Sequence, residues 1–121
     1  MNKRVTGSEK ERIAHQFLCK KGVRIVACNF RIRQGEIDLI GYDGRTLVFF
    51  EVKYRKNAIC GSSSEAVGIG KQMQICKVAA FYRAFHHIPD DYPCRYDVVA
   101  IDGETVHWYR DAFCHRDCYG V

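Results

Sequence analysis

Apolar residues recur at helical spacing from about Ser8 to Lys21, where Ile13, Ala14, Phe17 and Leu18 share one face. Lys20 and Lys21 suit the C-terminal end of that helix, and Gly22 can close it. Val23 to Phe30 (VRIVACNF) alternates as a strand, and Arg31 and Arg33 lead out of it into a turn at Gln34-Gly35. Gly35 to Arg55 then reads as two strands joined at Asp43-Gly44, a strong hairpin signal between apolar runs. With Asp43 and Gly44 as the two loop residues, Tyr42 faces Arg45 and Asp38 faces Phe49. Lys56 to Gly70 is rich in Gly and Ser, so a loop is expected there. It is the best candidate for a mobile flap, with a helical turn near Glu65 to Ile69. A second helix follows from about Lys71 to Phe85, its core face built from Ile75, Val78, Ala79, Tyr82 and Phe85. Beyond Pro89 and Pro93, Arg95 to Ile101 and Thr105 to Tyr109 form another hairpin across Asp102-Gly103, and Ala112 and Phe113 are placed to pack back on the body. Helix, three strands, helix, two strands is an α/β pattern.

Charges interrupt this pattern where they are costly. Asp38 stands between Ile37 and Leu39, and Glu51 and Lys53 follow Leu47-Val48-Phe49-Phe50. Under the two-residue turn, alternation sends Asp38, Phe49, Glu51 and Lys53 to one side of the hairpin, with Glu36 opposite Glu51. A loop one residue longer reverses this unless a bulge restores it. Converging carboxylates suit a hard divalent cation such as Mg²⁺, which is held by one or two carboxylates plus phosphate oxygens. A lysine two residues past a ligand could orient a water or offset phosphate charge. Asp…Glu-x-Lys therefore fits phosphodiester hydrolysis; the competing reading is a Glu51–Lys53 surface pair at the end of a sheet. Glu11 either forms a capping box with Ser8 or borders the buried helix face as a third carboxylate. Lys71 either looks for an anion, since it opposes its helix dipole, or snorkels to water. For Asp97, beside Val98 and Val99, an ion pair with Arg95 or a helix base is the preferred explanation.

Length and composition narrow the setting. The 121 residues make one domain, and a net charge of +5 favours polyanions. Seven cysteines are many, but the number is odd and the N-terminus MNKRVTGSEKER has no apolar core, so free thiols in the cytoplasm are expected. No stretch approaches membrane-spanning length. Cys114 and Cys118 have zinc-ligand spacing without a clear second pair, so a frayed tail is preferred to a zinc site.

The pattern Gly7…Glu11…Ala14…Leu18…Gly22, then Asn29, then GEIDLI at Gly35 to Ile40, then VFFEVKYR at Val48 to Arg55, resembles the YraN-type family of small uncharacterised proteins. The resemblance continues through Ala66-Val67, Lys71, Ala79, Arg95 to Val99 and Ala112-Phe113. That family is similar to the restriction-endonuclease-like superfamily with the PD-(D/E)xK motif, and more distantly to archaeal Holliday junction resolvases. The resemblance implies a restriction-endonuclease-like mixed central sheet of about five strands flanked by helices, in α-β-β-β-α-β-β order, over residues 1–113. It implies Asp38 and Glu51 as ligands of Mg²⁺ (or Mn²⁺), the Val52 carbonyl as a further ligand, Lys53 as the catalytic lysine, and Glu11 as the acid that completes the site. Lys10 departs from the family, which often has glycine there, and the tail 114–121 has no counterpart. The expected activity is a metal-dependent nuclease acting on structured or branched DNA, with Arg31, Arg33, Arg55 and Lys71 on phosphates. The alternative is a nucleic-acid- or partner-binding module that keeps the fold without turnover. A homodimer, served by exposed aromatics such as Trp108 or Tyr109, stays open.

Overall fold

Strand β3 (Thr46–Arg55) is apolar on both faces: Leu47, Val48, Phe49, Phe50 and Val52 are each no more than 1% exposed. Such a strand must be covered on both sides. Helix α1 (Gly7–Lys20) covers one, packing Ala14 and Leu18 against Leu39, Val48, Phe50, Val52 and Val99. Helix α2 (Ile69–Phe85) covers the other, with Ile75, Val78, Ala79 and Tyr82 against Ile37, Ile40, Leu47 and Phe49. The computed structural model describes residues 7–55 and 67–115. Most of the expected flap, the turn at Glu65, and the tail beyond His115 with Cys118 lie outside the described residues.

The sheet has five strands in the order β1-β2-β3-β4-β5, with β1 Arg24–Ile32, β2 Gly35–Asp43, β4 Cys94–Asp102 and β5 Thr105–Phe113. Neighbours are antiparallel except β3 and β4, which run parallel. A parallel pair needs a long crossover, and α2 lies within it. The mixed sheet flanked by helices in α-β-β-β-α-β-β order is therefore as expected. Helix α2 starts at Ile69 rather than Lys71, and β5 continues to Phe113, where Ala112 and Phe113 pack on the α2-side core. Phe85 leaves the core face: it is 60% exposed at the helix end, its ring tilted at 54° to that of Phe81. Among the described residues no helix is long and apolar enough to cross a membrane.

Both Asp-Gly hairpins turn one residue later than expected. Asp43 pairs with Thr46 and Asp102 with Thr105, so the loops are Gly44-Arg45 and Gly103-Glu104. The glycines take φ of +63° and +62°, whereas Arg45 and Glu104 are not among the positive-φ residues. Positive φ confined to the first loop position, with glycine there, is the type II′ arrangement. The consequence is a shifted register. Leu39 lies opposite Phe50, which brings Asp38 level with Glu51 instead of Phe49.

Alternation also breaks at Asp38. Ile37 and Ile40 pack toward α2, yet Leu39 packs toward α1. In β1, between the pairs Cys28–Leu39 and Phe30–Ile37, Asn29 takes φ of +53°, a conformation asparagine tolerates better than most residues. This paired irregularity turns the Asp38 carboxylate toward α1.

Candidate functional site

The β2–β3 pairing stops at Leu39–Phe50, and side chains take over beyond it. The Val52 amide donates to Asp38 Oδ2 at 2.7 Å, so a carboxylate caps the open end of the hairpin. Next to it the carboxylate oxygens of Glu11, Glu36 and Asp38 come within 4.8 Å of one another. Glu11 reaches this point from α1 and is hydrogen-bonded by the Asn29 side chain. The side chain of Ser8, the other half of the capping-box alternative, lies outside the described residues; burial, and then the Asp38 charge, push the Glu11 carboxyl above the usual range.

Glu51 sits on the other side of Asp38, 7% exposed. Burial, followed by the neighbouring Asp38 charge, raises its carboxyl to about 7, against the pull of Lys71 and Lys53. Lys53 Nζ and Lys71 Nζ each lie 4.0 Å from Glu51 Oε2. The anion that Lys71 seeks at its helix start is therefore Glu51, and the Glu51–Lys53 pair is no surface pair. Asp38 touches both groups of acids, since it hydrogen-bonds Glu51 as well.

Of the residues named from sequence, Glu11, Asp38, Glu51, Val52, Lys53 and Lys71 meet here. Arg31 and Arg33 are exposed around the β1–β2 turn, and of the two Arg31 reaches the edge of the site, pairing with Glu36 at 3.3 Å. Arg55 ends β3, and its side chain lies outside the described residues. Trp108 is not an exposed aromatic, because its Nε1 donates to the buried Asp97 at 2.8 Å and its ring packs on the α1-side core. Asn29 belongs to the family pattern but has no role at the site in the sequence reading, although its polar side chain in an apolar strand was the available signal. Sequence reasoning also missed Lys10 as a site residue: Lys10 Nζ donates to the Val52 carbonyl at 3.1 Å. A cavity of about 400 Å³ opens beside Glu11 on the α1 side, lined by Arg12, His15, Asn29 and Leu39 among others.

The model of the uncharacterised protein family UPF0102 matches residues 10–101. The chain belongs to this family. It is 42% identical over 120 residues to a UPF0102 protein of Lachnoclostridium phytofermentans, covering 99% of both chains. It is 43% identical over 109 residues to the UPF0102 protein YraN of Escherichia coli O1:K1, covering 89% of this chain and 83% of that one. The matched span takes in every residue that converges on Asp38.

Asp38, Glu11 and Glu36 offer oxygens at mutual ligand distance, the kind of donors a hard cation takes; Glu51 adjoins them through Asp38 without joining that group, and the Val52 carbonyl accepts the Lys10 ammonium.

Proposed function

We propose that this chain is a metal-dependent nuclease that hydrolyses phosphodiester bonds in structured or branched DNA. The observation that carries the reading is Asp38 at the open end of the β2–β3 hairpin, grouped with Glu11 on one side and hydrogen-bonded to Glu51, with its Lys53 and Lys71, on the other. The resemblance of GEIDLI and FEVK to the PD-(D/E)xK pattern supports it, and so does the family's more distant similarity to archaeal Holliday junction resolvases.

In this reading Asp38, Glu51 and the Val52 carbonyl hold Mg²⁺ or Mn²⁺, with Glu11 completing the site. The bound ion would stabilise charge on the phosphate and lower the pKa of a water. The remaining work falls to the chain. Lys53 stands beside Glu51, where an ammonium orients the attacking water and offsets phosphate charge. Glu51, its carboxyl raised to about 7 by burial and the Asp38 charge, would serve as a ligand in its ionised form, which Lys71 and Lys53 favour. Arg31 and Arg33 are exposed around the β1–β2 turn, where they contact the DNA backbone without reading bases.

A second reading, a module that binds nucleic acid or a partner without turnover, is favoured by the Lys10 ammonium seated on the Val52 carbonyl. One experiment separates the two. The purified chain is incubated with Mg²⁺ or Mn²⁺ and junction, flap and linear DNA, with RNA as a control. Cleavage of branched DNA, reduced by at least about a hundredfold in Asp38→Asn and Lys53→Met, is expected. DNA binding without cleavage under either metal would establish the second reading. Cleavage undiminished in both variants would place the activity elsewhere.

A further inference from the structure

We infer that Lys10 is a built-in occupant of the cation position, an ammonium that must leave the Val52 carbonyl before a divalent ion can take its place. The inference rests on the reading above that this site takes such an ion.

Both backbone groups of Val52 are engaged by side chains. Its amide donates to Asp38, and its carbonyl accepts from Lys10 across 42 positions of sequence. A carbonyl in this part-buried position is costly if left unpaired, so the site needs a donor or a cation there at all times. Lys10 supplies one from the early part of α1, where a lysine opposes the helix dipole. Its local setting therefore disfavours the charge, and the tertiary contact accounts for it. The Asp38 carboxylate that holds the Val52 amide belongs to the group of three acids, with Glu11 and Glu36, that lies next to this seat. Burial and then the Asp38 charge hold the Glu11 carboxyl above its usual range, and the Lys10 charge is the smallest of the influences on it, favouring the ionised form.

The same seat is poor for long-term tenancy. An ammonium gives the carbonyl one hydrogen bond, whereas a divalent ion at the same place would draw on the carbonyl and several carboxylates together. Both cannot sit there, because like charges at contact distance repel. Lys10 thus stabilises the metal-free protein and weakens metal binding, setting the ion concentration at which the site fills.

The test is calorimetric titration of Mn²⁺ into the wild-type chain, Lys10→Met and Lys10→Arg. Methionine keeps the length and helix preference of lysine without the charge. Lys10→Met should bind Mn²⁺ about tenfold more tightly, the change that removing one competing unit charge brings. Lys10→Arg, which keeps the charge, should stay close to wild type. In the absence of metal, Lys10→Met should unfold a few degrees lower, by about 4 °C for the loss of one hydrogen bond to a charged group. A second measurement needs no variant: on saturation with Mg²⁺ the Lys10 side-chain ε resonances should shift while those of Lys20 stay in place. Unchanged or weaker Mn²⁺ binding by Lys10→Met, or an unmoved Lys10 resonance in a protein that binds Mg²⁺, would overturn the role given to Lys10 alone. Failure of wild type and variants alike to bind either ion would overturn the metal site itself, and the role of Lys10 with it.

Discussion

Glu51 owes its chemistry to its place. The same residue on an exposed strand would be an ordinary carboxylate, but between Phe50 and Val52 in the central strand it is buried, and its carboxyl rises to about 7. A raised folded-state pKa means that the folded protein binds the proton more tightly than the unfolded chain does. The stability this group contributes is present in full below about 4.5 and is lost as pH rises through about 7. Chemical denaturation in EDTA at pH 5 and pH 8 should show this as a loss of up to roughly 3 kcal/mol that is absent in Glu51→Gln. Identical pH dependence in the two proteins would remove Glu51 as its source. Asp38, Glu51 and Lys53 were legible in the sequence because a charge within an apolar strand is rare enough to signal a task. Lys10 was not, since a lysine on a helix face looks like any solvated residue until its partner, far along the chain, is known.

At the scale of elements, periodicity identified both helices and all five strands, while hairpin register depended on one turn. Asp43-Gly44 reads equally well as two loop residues or as a closing residue followed by a type II′ glycine. The second holds, which leaves Asp43 to accept from Arg95 at 2.8 Å. A different constraint sits in mid-strand at Gly41, against which β1 closes tightly. A Cβ there would meet the Arg24 carbonyl oxygen at 2.8 Å and the side chains of Val23 and Ile25 at 3.1 Å. Gly41→Ala should therefore destabilise by roughly 1–3 kcal/mol through overpacking. Gly68→Ala, with nothing within 4 Å of the new methyl, should cost only the roughly 0.5–1 kcal/mol by which alanine is the poorer N-cap of α2. Equal melting temperatures for the two variants would show that β1 yields without strain.

Across the whole molecule, the second half of the sheet is held by one carboxylate. Asp97, fully buried, accepts from Arg95 at 2.9 Å on each oxygen, from Trp108 Nε1 at 2.8 Å and from the Asp111 amide at 2.9 Å. Arg95 also reaches Asp43, so strands β2, β4 and β5 meet through this group. The bland reading of Asp97 as an ion-pair partner of Arg95 thus holds and extends. Asp97→Ala should cost about 3–5 kcal/mol, because it leaves four N–H donors, two of them from Arg95, without their acceptor. Arg95→Met should cost less, since Asp97 keeps its two other donors. Thermal unfolding in which the Asp97 variant matched wild type would show that water replaces the carboxylate.

The order of elements, the faces they bury and the acids and bases placed among apolar neighbours follow from the sequence by itself. Each depends on residues a few positions apart, where the periods of helix and strand apply. What only the tertiary structure decided is how these faces meet: Asp38 level with Glu51, Glu11 turned to Asn29, Lys71 paired with Glu51, and Lys10 seated on Val52. These contacts join distant positions, and they hang on the backbone conformation of a few residues such as Gly44 and Asn29. One such dihedral choice moves a whole strand by a residue pair, and local hydrophobic pattern carries no information about it.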